Sequence, residues 1–315
     1  MKRYAFVIRL AFVAILLGAA AWAIDPARLW QSLTPAMALA VLPAVAVGLA
    51  GSIPLAMRLA VLAGGPSPSI VAAWKAFVLT ASINSFLPGR VGELVKPVFL
   101  NEHARVPLGN GFAALFLERV IDVAILFGLA LIAASMAFVH LDWKFAAGVF
   151  AGLLGLLGVI PLVEGQLLKL GRFIPLERAR AFYADALAHT ASTVREGRAV
   201  TAFLLGLAGW VMPIAGTYVF LRLALPVPIG FEGALSVFVV TTFSYLIPVL
   251  PAGMGAYEAG AVLALQFYGV PAAQGLALAI VWHAGNILTM LLCGGAVLIH
   301  DRIGLGAFLA RLKSK

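Results

Sequence analysis

Charge is scarce in this chain. Asp, Glu, Lys and Arg make up only 11% of its residues, against about 25% in an ordinary soluble domain. With 63% hydrophobic residues and a mean hydropathy of +1.05, no soluble domain fits. Barrel-type alternation is missing, while apolar runs of roughly 18 residues or more recur from end to end, as expected of membrane-crossing helices. There is one cysteine, Cys293, inside an apolar run. It excludes a disulfide framework and a thiolate metal site, and reads as packing. Catalytic signatures are lacking too: there is no His-Glu-x-x-His zinc helix, no Gly-x-Ser-x-Gly elbow and no phosphate loop. Neither cofactor nor metal is expected.

Lysine and arginine are absent over one long interval, between Arg222 and Arg302. The net charge of +9 therefore comes from elsewhere: Lys2, Arg3 and Arg9 at the start, Lys169, Arg172, Arg178, Arg180, Arg195 and Arg198 in the middle, and Arg302, Arg311, Lys313 and Lys315 at the tail. These residues flank apolar spans, so they fit membrane orientation and anionic lipid head groups better than nucleic acid.

What is present is a series of apolar segments, at about 5–24, 36–62, 70–87, 110–138, 145–163, 199–223, 233–250 and 272–299, with a shorter piece at 257–269. The first, with its basic front and an Ala-x-Ala at 21–23, resembles a secretory signal. Its apolar part is long for a cleaved signal, and it is expected to stay as a first span. Residues 164–198 form a polar linker, in which LERARAFYADALAHTASTVREG predicts an amphipathic helix on the membrane surface.

The chain echoes itself. Phe86-Leu87-Pro88 and the following Gly92-Glu93 are matched by Val249-Leu250-Pro251 and by Gly255 with Glu258. At an offset of 164 residues, Val106-Pro107 pairs with Val270-Pro271, Arg119 with His283, and Asp122 with Asn286. Repeat one covers about 36–138 and repeat two about 199–299, within one integral membrane domain spanning 1–315. Positive charge places the N-terminus, the linker and the tail on the cytoplasmic side. That requires an even number of crossings before the linker. Segment 70–87 must then return through 91–105, and 233–250 through 257–269. The expectation is an all-α polytopic protein with six spanning helices, two returning hairpins and inverted repeats, the usual layout of alternating-access transporters.

The hairpin tips, FLPGRVGE and LPAGMGAYE, carry Pro88, Gly89 and Gly92 in one and Pro251, Gly253 and Gly255 in the other. Proline disfavours helix at the residue before it, and glycine permits a tight turn. Backbone groups freed by such a break are tolerated only inside protein or beside a wet cavity. Near the tips lie Arg90, Glu93, Glu118, Arg119, Asp122, Glu258, His283 and Asn286, the candidate substrate-binding or translocation residues. Intramembrane charge costs roughly 2.5–3.5 kcal/mol per residue on insertion scales, so it is expected to be paired or wet. Two roles fit these charges, a network joining hairpin to bundle or a substrate or proton path, and they are compatible. Lys96, Lys75, Arg58 and Arg222 are read as interfacial anchors.

The motifs NSFLPGRVGELVKPVFL, LERVIDVAILFGL, LPAGMGAYEAGAVLAL and GVPAAQGLALAIVWHAGN resemble the lysylphosphatidylglycerol synthase transmembrane region family, also called flippase-like membrane proteins. The resemblance covers nearly the whole chain. It implies a membrane domain of the kind found in multiple peptide resistance factors, which moves aminoacylated phosphatidylglycerol to the outer leaflet. In those proteins a separate soluble domain attaches the amino acid. The sequence lacks that domain, so synthase activity is not expected of it. Shorter relatives are associated with hopanoid, glycolipid or polyprenyl-linked lipid pathways. His283 stands where relatives often carry arginine, and histidine is the side chain whose charge changes near physiological pH.

The expected function is movement of a polar-headed lipid between leaflets of the cytoplasmic membrane. The expected partners are that lipid, anionic head groups at the basic segments, and lipid-biosynthesis enzymes. An intramembrane lipid-modifying transferase and a non-transporting scaffold are the alternatives.

Overall fold

The computed structural model describes residues 26–64, 69–137, 143–226, 229–244 and 251–303, and helices dominate throughout. The expected first span, His140, most of the basic tail and the LIPVL approach to the second tip fall outside the described residues. Among the described residues there is no strand.

A short helix α1, Pro26–Ser32, leads into α2, Pro35–Ala50, and α3, Ser52–Ala63. The single run expected at 36–62 is thus two helices, broken at Gly51. Pro54 explains the break: it lacks an N–H, and its ring opposes the carbonyl four residues back, at Ala50. The first hairpin follows as α4, Ile70–Phe86, a tight 3-10 segment, Pro88–Leu94, and α5, Val95–Ala104. Two long helices, α6, Leu108–Ala137, and α7, Trp143–Leu170, come next. Of the linker expected at 164–198, the first residues continue α7, and Glu177–Arg195 form α8. The second half contains α9, Arg198–Ala224, then α10, Phe231–Ser244, a 3-10 turn, Pro251–Gly253, α11, Ala256–Phe267, and α12, Ala272–His300.

Among the described residues, three stretches are long and apolar enough to cross a membrane: Pro35–Ala63 taken through its break, Arg198–Ala224 and Ala272–His300. Helix α6, with 30 residues, reaches about 45 Å at 1.5 Å per residue, beyond a hydrocarbon core of about 30 Å. The hairpin arms are shorter. Helix α4 has 17 residues, α5 10 and α11 12, below the ~20 that a spanning helix needs. In each hairpin the two arms pack on each other, and α12 packs against both α4 and α11. Large apolar side chains such as Leu39, Leu42, Leu162, Leu292 and Ile299 lie on the outside, where lipid rather than water would cover them.

The central seam is built on small residues. Helix α9 runs against α2 and α3 so closely that a Cβ added at Gly51 would lie 2.6 Å from the Gly209 carbonyl oxygen. One added at Gly216 would lie 2.7 Å from the Ala44 carbonyl oxygen. Without a hydrophobic effect between helices in lipid, this close backbone approach provides the packing attraction.

Candidate functional site

The first hairpin tip is a left-handed turn. Arg90 has φ 56°, a conformation costly for a residue with a Cβ. Next to it, Gly92 lies against α4, where a Cβ would come within 2.5 Å of Asn84 Oδ1 and 2.7 Å of the Thr80 carbonyl oxygen. The second tip repeats this geometry: Ala252 and Gly253 have φ 54° and 72°, and Gly255 has φ 83°. Pro88 and Pro251 open the two turns, with Gly89 following the first. The two tips touch each other, and α4 also touches the second tip.

Around the first tip, seven charged side chains form one continuous network. Helix α6 supplies Glu118, Arg119 and Asp122, which its periodicity sets on neighbouring turns. Arg119 pairs with Asp122 at 3.1 Å and with Glu93 of the tip at 3.7 Å. Arg90 reaches the same Glu93 oxygen at 3.6 Å. These contacts join four of the residues that the sequence nominated, Arg90, Glu93, Arg119 and Asp122.

Two further members correct the sequence reading. Arg58 was expected at the interface, but it is 2% exposed and lies inside the bundle. Its guanidinium donates to Asp122 Oδ1 at 2.6 Å and to Glu118 Oε1 at 3.1 Å. Lys96 was likewise expected to snorkel outward. Instead it is buried, donating to Glu118 Oε2 at 2.9 Å and pairing with Glu93 at 3.5 Å. Both corrections have the same cause. Fully buried Glu118 needs compensating charge, and these two cations provide it from either side. The signal available in the sequence was that Arg58 is the one charged residue within the apolar run 36–62, and an ionisable residue within a membrane span marks a functional site by default. Trp210 on α9 also belongs to the site, its indole N–H donating to Asp122 Oδ1 at 2.9 Å.

The network has four cations, Arg58, Arg90, Lys96 and Arg119, against three carboxylates, Glu93, Glu118 and Asp122, leaving one positive charge in excess. Exposure divides it. Arg90 is 47% and Arg119 36% exposed at the side chain, whereas Arg58 and Glu118 are sealed in. The two open guanidiniums suit a phosphate or carboxylate, since arginine's planar fork matches both. The sealed part holds α3, α5 and α6 together. Thr80 Oγ1, Asn84 Oδ1 and Arg119 Nε, all near the tip, have no hydrogen-bond partner among the described residues.

The second tip holds a smaller cluster. Glu258 lies in the first turn of α11, and one of its oxygens accepts from the Gly255 backbone N–H at 2.6 Å, satisfying a donor at the helix start. The other lies 2.6 Å from His283 Nδ1. His283 Nε2 lies 3.1 Å from the Ala252 carbonyl oxygen, and the Tyr257 ring stacks on the imidazole. Asn286 stays apart, its amide donating to the Trp282 carbonyl of its own helix. Lys75, another expected anchor, pairs with Asp301 at 2.5 Å, tying the start of α4 to the end of α12. Among the described residues no cluster of His, Cys, Asp and Glu has the make-up to hold a metal ion.

A helical bundle with two broken hairpins and charge buried at their tips is an all-α, multi-pass membrane protein. The chain belongs to the family described as lysylphosphatidylglycerol synthase TM region, whose pattern it matches over residues 6–294. No curated protein and no solved structure matches it.

Proposed function

We propose that this chain is a lipid flippase or lipid transporter of the cytoplasmic membrane, moving an anionic or aminoacylated lipid between leaflets. Membership of a lipid-associated membrane family supports the reading at the level of class. The observation that carries it further is the excess positive charge at the first tip, presented by the open Arg90 and Arg119. A head group enters beside that hairpin and sets its phosphate against the two guanidiniums. Its acyl chains stay in lipid, so only the polar head requires a polar path. Glu258 at the touching second tip then receives the head group's cationic part or balances its passage.

In this reading the repeats are inverted, with one hairpin opening to each face. Both termini and α8 lie on the cytoplasmic side, where the basic residues of α8 meet anionic head groups. Lipid-biosynthesis enzymes acting on that leaflet would supply the substrate.

Reconstitution of the purified chain with a fluorescent anionic or aminoacylated lipid, quenched from outside the vesicle, tests the proposal. The wild type is expected to make the inner-leaflet pool accessible, and Arg90→Ala and Glu258→Ala to abolish this while remaining inserted. Variants that flip at the wild-type rate overturn the site assignment. A wild-type protein that leaves every such lipid in place overturns transport itself, and a chemically altered lipid points to a transferase.

A further inference from the structure

The His283 imidazole is held between two acceptors: the Glu258 carboxylate at Nδ1, 2.6 Å away, and the Ala252 carbonyl oxygen at Nε2, 3.1 Å away. A neutral imidazole has one N–H and one bare nitrogen, and only the imidazolium donates from both. The side chain is 3% exposed, so water has little access to replace a lost partner. The carbonyl it holds belongs to Ala252, a residue with a Cβ in the left-handed region. Through Glu258, the same ring is coupled to the Gly255 N–H one turn further along the tip.

We infer that His283 is a proton-binding latch, which ties the second hairpin tip to α12 when the ring carries two hydrogens and releases it when one leaves. One N–H bond of the ring breaks, and its proton passes to bulk water by way of the adjacent Glu258 carboxylate, which is 17% exposed. The bare nitrogen then faces an acceptor, and the contact to Ala252 or to Glu258 is lost. The tip is free to leave a strained conformation, in the part of the protein that touches the first tip.

The other charges around this ring are few. Helix α11 brings Glu258 and Tyr257, and the first tip brings Arg90 and Glu93. On α4 the titratable residue is Lys75, taken up by Asp301 near the end of α12, while α2 has none. Helix α1 carries Arg28, and α9 carries Arg198, Tyr218 and Arg222. Helix α10, covering α11, carries Glu232 at its start. Glu258 contacts the ring directly, so when the ring loses its proton that carboxylate no longer faces a cation there.

This inference deepens the transport reading, because it supplies the regulation of the same tip, but its test reads tip motion rather than lipid movement. The two ideas therefore fail separately. Met254, 45% exposed in the tip, is changed to cysteine in a Cys293→Ser background and given an environment-sensitive fluorophore. The full chain is placed in phosphatidylcholine–phosphatidylglycerol vesicles and titrated from about pH 5 to about pH 9, the range where histidine changes charge. The emission is expected to shift in one sigmoidal step. His283→Arg is expected to hold the low-pH position at every pH, and His283→Gln the high-pH position. A flat wild-type titration overturns the proposal, as does a step that survives in either variant. Histidine-15N spectra of the wild type, with the His283 signals assigned by their loss in His283→Gln, give an independent reading. At the low-pH plateau both ring nitrogens must carry hydrogen, and a bare nitrogen there overturns the latch.

Discussion

Arg58 and Asp122 are 64 residues apart in sequence, yet Nη1 of one lies 2.6 Å from Oδ1 of the other, inside the bundle. Arg58 contributes here as half of a buried ion pair, so removing it leaves carboxylates without their cation. Arg58→Met is expected to destabilise the protein by roughly 3–5 kcal/mol, the usual cost of breaking a buried pair from one side. Equilibrium unfolding in mixed micelles measures this. A loss below about 1 kcal/mol, typical of an exposed pair, would contradict the buried geometry.

Lys96 allows a sharper comparison. A snorkelling lysine tolerates Lys96→Gln with a change within about 0.5 kcal/mol, as surface substitutions do. A lysine between Glu118 and Glu93 does not, and the expected loss is several-fold larger, with Lys96→Met behaving similarly. The same unfolding measurement separates the two outcomes.

At Arg90, function and stability should move in opposite directions. Its left-handed backbone suits glycine, so Arg90→Gly removes a strain of about 1–2 kcal/mol, partly offset by glycine's greater freedom in the unfolded chain. The expected result is a protein as stable as the wild type or more so by up to about 1 kcal/mol, with lipid movement lost. A destabilised variant would argue against the turn geometry.

Close packing predicts a different failure at Gly51. A Cβ there would stand 2.6 Å from the Gly209 carbonyl oxygen and 2.9 Å from Met212 Cβ, and the backbone carbonyl cannot turn aside. Gly51→Ala is expected to cost roughly 1–3 kcal/mol, as overpacking does, whereas Gly148→Ala, which meets no atom of the described residues within 4 Å, should be neutral or slightly stabilising. Melting temperatures of the two variants in detergent provide the check.

The linker helix gives a pH dependence whose sign can be worked out. His189 on α8 lies 2.8 Å from the Leu62 carbonyl oxygen through Nε2, at the end of α3. Burial holds its pKa below the ordinary histidine value; the bond to Leu62 opposes this, and nearby Arg198 reinforces it. The folded state thus takes up a proton less readily than the unfolded chain. This contribution is complete above the unfolded value of about 6.5 and is lost as pH falls below it. Thermal stability should therefore drop between about pH 7 and pH 5, and the drop should be smaller in His189→Gln. An identical pH profile in the variant would remove His189 from the account.

Much of this arrangement was legible in the residues themselves. Glu118, Arg119 and Asp122 announce a shared site by rarity and spacing, and the paired Leu-Pro tips announce two turns. The boundaries of α4, α6, α9 and α12 follow the apolar runs within a few residues. Arg58 and Lys96 were less transparent, because a long cation near the end of an apolar run has the same sequence signature whether it reaches outward to head groups or inward to carboxylates. Only tertiary packing decides, here by bringing both cations onto the buried Glu118. Asn286 shows the opposite limit. Its place in the repeat matches Asp122, yet an amide can satisfy itself on its own helix, as it does on Trp282, whereas a carboxylate with no N–H to donate needs a partner from elsewhere.

The 60 residues between Arg58 and Glu118 also have a consequence in time. At synthesis rates of roughly 5–20 residues per second, Arg58 leaves the ribosome about 3–12 s before the carboxylates that will neutralise it. During that interval α3 would enter the bilayer with an unmatched cation, costing roughly 2.5–3.5 kcal/mol. Until α6 is made, α3 carries that cation without its carboxylates. The ion pair that locks the finished bundle is therefore a late contact in the life of the chain, formed only once both halves of it have been synthesised.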